Sequence, residues 1–322
     1  MTQKTMRAAV IDRTGGPDVL HVAEVPTPLP ITSEVLVKVT AAGVNPIDAK
    51  TRSGRGVSAA IRNYPAILGG EFSGVVAASP YATHPLPVGT PVYGMMSVPR
   101  TDGSYAEYVA APSLSVTRRP RNLSAIEAAG VPLAALTAWG ALEQAQLTPG
   151  SRVLIHAAAG GVGHFAVQFA AHAGVEVIAT ASARNADWLR SLGASTVIDY
   201  MTTRFEDEVA GVDAVIDLIG NVHDNTGRRS LGTLKPNGII VNVPTGSWAE
   251  LDDDARAAGV RATQYKVSPD ARVLDQITDL IEAGHVTVNI DTVYPLEQAA
   301  AAHVKIEGGH TRGKIVLEVS AE

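Results

Sequence analysis

Val153–Gly163 reads VLIHAAAGGVG and continues as HFAVQFAAHAG to Gly174. The first residues are apolar or nearly so and make a buried strand. The Ala/Gly run makes a tight turn, and the apolar spacing that follows is helical until Gly174 ends it. Strand, Gly-rich turn and helix form the first unit of a dinucleotide-binding βαβ. In such a unit, backbone N–H groups at the helix start and the helix dipole favour a pyrophosphate. Ala158, Ala159, Gly160, Gly161, Val162 and Gly163 fill the six positions of G-x-G-x-x-G, with Ala in place of the first Gly. The flanking strand and helix are the context that the motif needs.

The following sequence keeps this rhythm. VEVIAT (175–180), TVI (196–198), VDAVIDL (212–218) and GIIVNV (238–243) are strands, the last after the turn Lys235-Pro236-Asn237-Gly238. A helix over Ala186–Leu192 lies between the first two of these. Strands alternating with helices from Ser151 to about Ala258 predict a doubly wound parallel sheet. An NAD-specific fold carries an acid at the end of the second strand. Here that segment is Thr180-Ala181-Ser182-Ala183-Arg184-Asn185, with no acid before Asp187. Ser182 and Arg184 suit a 2′-phosphate, and Tyr200 closes the same pocket, so the cofactor expected is NADP(H).

The 322 residues are 46% hydrophobic and 18% charged, with a net charge of −6 and no cysteine. That balance fits a globular chain of two domains and argues against nucleic acid or an anionic membrane as main partner. No apolar run reaches the length of a membrane-spanning helix, and the opening MTQKTMRAAVID lacks the apolar core of a signal peptide. The expected location is the cytoplasm. Without cysteine there are no disulfides, thiol nucleophiles or thiolate metal sites. The nine histidines show no H-x-x-x-H or H-x-x-E-H spacing, so no metal site is expected, and His156, His164 and His172 are read as packing or surface residues.

Residues 1–118 differ in texture. SEVLVKVT (33–40) and FSGVVA (72–77) are short strands among Gly/Pro-rich turns, the pattern of an antiparallel, barrel-like domain. KIVLEV (314–319) is one more strand and implies that the chain returns to its first domain. The expected division is 1–120 with 259–322, and 121–258. The active site is then expected in the cleft between the two, at the carboxyl ends of the parallel strands.

AGVNPIDAK (42–50), LGGEFSGVV (68–76), VYG (92–94), GSYAEY (103–108), LTAW (136–139), the AAAGGVG turn and GKIVL (313–317) stand in order along nearly the whole chain. Together they resemble the medium-chain dehydrogenase/reductase superfamily, in its zinc-independent quinone oxidoreductase and enone reductase branch. The resemblance implies an α/β protein: a GroES-like, β-rich catalytic domain plus a Rossmann-type, NADP-binding domain. Zinc alcohol dehydrogenases of that superfamily have Cys where this chain has Asn45, His where it has Gly70, and a third ligand near Leu133. Without zinc, an alkoxide lacks an obvious stabiliser. Reduction of a quinone or of a conjugated C=C asks only for donors at a remote oxygen.

Asn45, Lys50 and Tyr64 are donors of the right type, although Asn45-Pro46 is also a good turn dipeptide and Lys50 can be a solvated lysine. Asp48 is expected to orient the ribose or Lys50, or to cap the helix that follows. Lys50, where quinone reductases often have Tyr, tilts the reading towards enones. Thr137, Thr245 and Gly246 are implied as nicotinamide contacts, and Lys314 as the basic residue near the pyrophosphate. A homodimer is implied, with Gly238–Val243 followed by the strand-like Val260–Tyr265 as its edge. Two other readings share these motifs: an enoyl reductase dedicated to one polyketide-type pathway, and a non-catalytic NADPH-binding relative with a structural or RNA-binding role.

Overall fold

The computed structural model describes residues 4–97, 99 and 102–321, so Met1–Gln3 of the opening segment lie outside it. The described residues form two compact units: one up to Leu136 together with Ser268 onward, the other Thr137–Val267.

The first unit opens with β1 (Thr5–Ile11), β2 (Leu20–Pro26), β3 (Glu34–Val44), α1 (Pro46–Arg52), β4 (Ala66–Ile67), β5 (Glu71–Ala78), β6 (Pro91–Met95), β7 (Tyr108–Pro112), β8 (Val116–Arg118) and α2 (Ala125–Ala129). Helix α3 (Pro132–Ala145) leads into β9 (Arg152–Ile155), α4 (Gly163–His172), β10 (Glu176–Ala181), α5 (Ala186–Ser191), β11 (Thr196–Asp199) and α6 (Phe205–Glu208). The second unit continues through β12 (Val212–Asp217), α7 (Thr226–Ser230), β13 (Leu234–Asn242), α8 (Leu251–Ala258) and β14 (Arg261–Gln264). The chain then returns to the first unit with α9 (Ala271–Glu282), β15 (Ile290–Pro295), α10 (Ala299–Glu307) and β16 (Lys314–Glu318).

In the first unit, β15-β16-β3-β5-β6-β8 form one sheet, with β7 also on β3, while β2-β1-β4 form a second. Strand β3 is the hub: Glu34–Lys38 pair with β7 and Leu36–Gly43 with β5, and two register shifts bend it from one to the other. Its valines Val35, Val37 and Val39 point into a core shared with Val10, Phe72 and Val109. The return of the chain is explicit, because β16 pairs antiparallel with Ala41–Val44 of β3. Helix α9 is fastened by the buried Tyr93 hydroxyl, which donates to the Leu274 carbonyl at 3.0 Å and lies 2.8 Å from Thr278 Oγ1.

The second unit is one parallel sheet in the order β11-β10-β9-β12-β13-β14. Val153, Leu154 and Ile155 of β9 are all fully buried, as a central strand covered on both faces requires. The chain order reverses beside β9, which places the switch point of a doubly wound sheet between β9 and β12.

Two expectations shift. The turn 235–238 lies inside β13 rather than before it. Val212 pairs with Leu234 but Ala214 with Ile239, so the intervening residues bulge, with Asn237 left-handed at φ 61°. The unit boundaries also lie later than 120 and 258. Helix α2 and the start of α3 pack on β3 and β5, and β14 hydrogen-bonds to β13 as the sixth strand.

Candidate functional site

In the second unit, the carboxyl ends of the strands carry the nucleotide-type turn. After β9 the chain passes through Ala157, left-handed at φ 47°, and Ala158 N–H donates to the Thr180 carbonyl of β10 at 3.1 Å. Gly163 opens α4 so close to this turn that a Cβ there would sit 2.4 Å from the Ala157 carbonyl oxygen. Only glycine permits that approach. Ala159 is buried, whereas Gly160, Gly161 and Val162 are half-exposed at the start of α4, where the Gly160 N–H donates to the Ala157 carbonyl at 2.9 Å and the His164 N–H to the Gly160 carbonyl at 3.1 Å.

Ser182, Arg184 and Tyr200 gather at neighbouring strand ends, since Ala181 of β10 pairs with Asp199 of β11. Ser182 Oγ accepts from Asn185 Nδ2 at 3.3 Å, and Arg184 and Tyr200 are exposed. Thr245 and Gly246 form the loop after β13, with Gly246 at φ 69°. Asp217, which the sequence marked only as part of a strand, holds this end together. Its carboxylate accepts the N–H groups of Ile219 and Gly220 at 2.9 and 2.8 Å and the Asn242 amide at 2.8 Å. Thr137 is buried in α3.

His156 is structural. It lies buried between Thr180 Oγ1 (3.0 Å) and Ser230 Oγ (2.8 Å), and burial pushes its pKa down to about 4. His164 is also buried, and His172 is exposed at the end of α4.

The first unit holds a dense buried polar network. Lys314 Nζ lies 2.7 Å from Glu71 Oε1, with side-chain exposures of 3% and 0%. The same ammonium donates to Asn45 Oδ1 and to the Val44 carbonyl, at 2.5 and 3.2 Å. Asn45 Nδ2 donates to Glu71 Oε1 at 2.8 Å, and the other Glu71 oxygen accepts the Leu133 N–H at the start of α3, at 2.7 Å. Room for this carboxylate depends on Gly43, where a Cβ would stand 2.2 Å from Glu71 Oε1.

Asp48 caps α1, one of the roles expected of it: its Oδ2 accepts the Asn45 N–H at 2.9 Å and the Tyr105 hydroxyl at 3.2 Å. The Tyr105 oxygen is 3.2 Å from His303 Nε2. Because the Tyr105 proton goes to Asp48, a neutral His303 donates from Nε2. Burial, helped by the Arg52 charge, drives the His303 pKa down to about 3. Burial also pushes the Asp48 carboxyl up to about 7, against the pull of the Asn45 N–H and the Lys314 charge.

The structure thus brings Asn45, Asp48 and Lys314 together and gives Lys314 a different task from the one its motif implied. Its ammonium is spent inside its own unit, on an interior strand, rather than on a pyrophosphate. Lys50, one turn along α1, is half-buried with no ion-pair partner among the described residues, and burial, then the Arg55 charge, lowers its pKa. Tyr64 is exposed on the segment before β4. Tyr105 and His303 were not picked out beforehand. Tyr105 sits within GSYAEY, but nothing around His303 in the sequence distinguishes it from a helix residue.

A family profile described as "Alcohol dehydrogenase GroES-like domain" matches residues 32–121, and one described as "Zinc-binding dehydrogenase" matches 192–317. The chain is 33% identical to a chloroplastic quinone-oxidoreductase homolog of Spinacia oleracea, over 94% of this chain and 95% of that protein. It belongs to the medium-chain dehydrogenase/reductase superfamily. Identity is also 33% to a chloroplastic NADPH-dependent alkenal/one oxidoreductase of Arabidopsis thaliana, over 98% of this chain and 80% of that one. The solved quinone oxidoreductase of Coxiella burnetii superposes with a TM-score of 0.93 at 38% identity, covering 98% of this chain and all of that one.

The residues here do not fit the zinc that one profile's description implies. Asn45 and Glu71 are bonded to Lys314, and Gly70 offers no side chain to ligate a metal. Among the described residues, no group of three or more His, Asp or Glu could hold a metal ion. The nucleotide turn does fit a dinucleotide, because its close-packed Gly163 leaves half-exposed backbone at the helix start.

Two outcomes follow from the buried network. Lys314→Met strands the Glu71 charge and is expected to cost about 3–5 kcal/mol of stability in chemical denaturation, whereas Lys314→Met with Glu71→Gln recovers most of the loss. An equal loss in both variants would show that the charge pair is not the cause. For Asp48, the folded pKa lies above the unfolded one, so its stabilising contribution is complete below about pH 4 and lost as pH rises to about 7. The stability of the wild type relative to Asp48→Asn should therefore fall across that window and level off above it. A pH-independent difference would contradict the assignment.

Proposed function

We propose that this protein is a zinc-independent, NADPH-dependent oxidoreductase that reduces quinones or the conjugated C=C of α,β-unsaturated carbonyls. The observation that carries the reading is the substitution of a Lys314–Glu71–Asn45 network for metal donors, with Lys50, one turn along α1 from Asn45, a half-buried cation lacking a carboxylate partner among the described residues. The names of the spinach and Arabidopsis relatives support both the reaction and the cofactor.

The backbone of Gly160–Gly163 and the start of α4 hold the pyrophosphate, and Ser182, Arg184 and Tyr200 the 2′-phosphate. Thr137, Thr245 and Gly246 are assigned to the nicotinamide. Bound NADPH supplies a hydride to the electron-poor carbon or quinone ring. The electron pair it displaces gathers on the substrate's carbonyl oxygen. Lys50 donates to that oxygen as it becomes negative, and its lowered pKa makes its ammonium a stronger donor. Asn45 has a second Nδ2 hydrogen beyond the one given to Glu71, and Tyr64 is a further substrate contact in this reading. A homodimer in the cytoplasm completes it. Supporting these last points, β14 ends the sheet order, the chain has no cysteine, and no helix among the described residues is long and apolar enough to cross a membrane.

An NADPH-consumption screen over quinones and enones, run in EDTA, tests the activity directly. Arg184→Ala should weaken NADPH binding by about 1.5–3 kcal/mol, as for a hydrogen bond to a charged group, and leave NADH binding unchanged. Equal weakening of both cofactors would refute the 2′-phosphate assignment. Lys50→Ala should lower kcat and kcat/KM together, by on the order of 10²-fold, with an unchanged melting curve. Wild-type hydride transfer in that variant would remove Lys50 from the chemistry.

A further inference from the structure

From Ala49 to Gly70 the chain carries four cations, Lys50, Arg52, Arg55 and Arg62, and no acid, within a protein of net charge −6. Only one of the four is neutralised. Arg52 is buried and forks onto Glu307 of α10, with Nη2 and Nη1 donating at 2.6 and 3.2 Å. Lys50, Arg55 and Arg62 have no ion-pair partner among the described residues.

Arg55 is held beside Lys50 by local structure. Its N–H donates to the Lys50 carbonyl at 2.8 Å, and its Nε donates to Ser53 Oγ at 3.1 Å. Ser53 Oγ in turn donates to the Lys50 carbonyl at 2.9 Å. This ties the root and the Nε edge of the guanidinium and leaves its Nη groups for a planar anion. The Arg55 charge is near enough to depress the Lys50 pKa, so two like charges stand together where a carboxylate partner would ordinarily be found. An anion relieves that repulsion.

We propose that Arg55, next to Lys50, selects conjugated carbonyl substrates that carry a carboxylate. This rests on the reductase reading above. Lys50 meets the oxygen that becomes negative during reduction, and Arg55 meets the charge that the substrate carries throughout. Arg62, exposed on the same acid-free segment, adds to the positive field.

Acetylacrylate and its methyl ester share one conjugated ketone and differ by a charge. The ratio of their kcat/KM values is expected to fall about tenfold to a hundredfold in Arg55→Ala, mainly through KM for acetylacrylate. Arg55→Lys should keep part of it, and rising salt should erode the wild-type ratio. An unchanged ratio overturns the proposal. So does an unchanged ratio with weakened NADPH binding, which assigns the cations to the dinucleotide's phosphates instead. Binding of unreactive levulinate, followed by NMR titration without cofactor, separates this inference from the activity. Levulinate affinity lost in Arg55→Ala, in a protein that reduces neither compound, supports the anion site and rejects the reductase reading. Equal levulinate affinity in both proteins rejects the site.

Discussion

The ion pair between Glu71 and Lys314 is the constraint on which the β-rich unit is built. Two opposite charges with almost no exposure are tolerable only when every lone pair and proton is used. Here nearly all are: Glu71 accepts from Lys314, Asn45 and Leu133, and Lys314 also donates to Asn45 and Val44. Those partners belong to β3, β5, β16 and the starts of α1 and α3. One carboxylate therefore fixes where five elements meet, and Gly43 is small because a side chain there would occupy the carboxylate's place. The loop that begins at Asn45 leaves from a rigid base, so Lys50 is presented from a helix capped by Asp48 rather than from a mobile surface segment.

The parallel unit solves a different problem. Its central strands β9, β10 and β12 are mostly buried on both faces, so specificity has to reside at their ends. The β9–α4 turn is compressed until only Gly163 fits, and Asp217 ties the ends of β12 and β13 by accepting from two backbone N–H groups and the Asn242 side chain. His156, beneath the same turn, is kept neutral between two hydroxyls. These buried polar groups keep the loops in one conformation.

The parallel sheet was legible in the sequence because its signals are local: apolar runs, the glycine turn and the spacing between them. The strand bounds came out within a few residues. The exception was β13, where Lys235–Gly238 has turn chemistry but is held within the strand as a bulge. The polar network was not legible, because it joins Asn45, Glu71 and Lys314 across 269 positions and depends on burial that no local pattern encodes. A lysine opening an apolar strand looks alike in sequence whether it faces a phosphate, water or a buried glutamate. His303 is harder still, since its hydrogen-bond partner among the described residues is a hydroxyl contributed by a distant strand connection.

Charge separates the two lysines of the catalytic unit. Lys314 is fully compensated, and its proton is locked between acceptors that do not change during a reaction. Lys50 has burial and Arg55 acting against its charge and no carboxylate acting for it. In the proposed reading, a cation in that position gains most when the substrate's carbonyl oxygen becomes negative, which favours the transition state over the ground state. A resident carboxylate next to Lys50 would compensate it before any substrate arrived and so weaken that difference. The absence of acid from Ala49 to Gly70 is thus the electrostatic counterpart of the dense compensation around Lys314. The unit places its acids where stability needs them and, in the proposed reading, withholds them where developing negative charge has to be met.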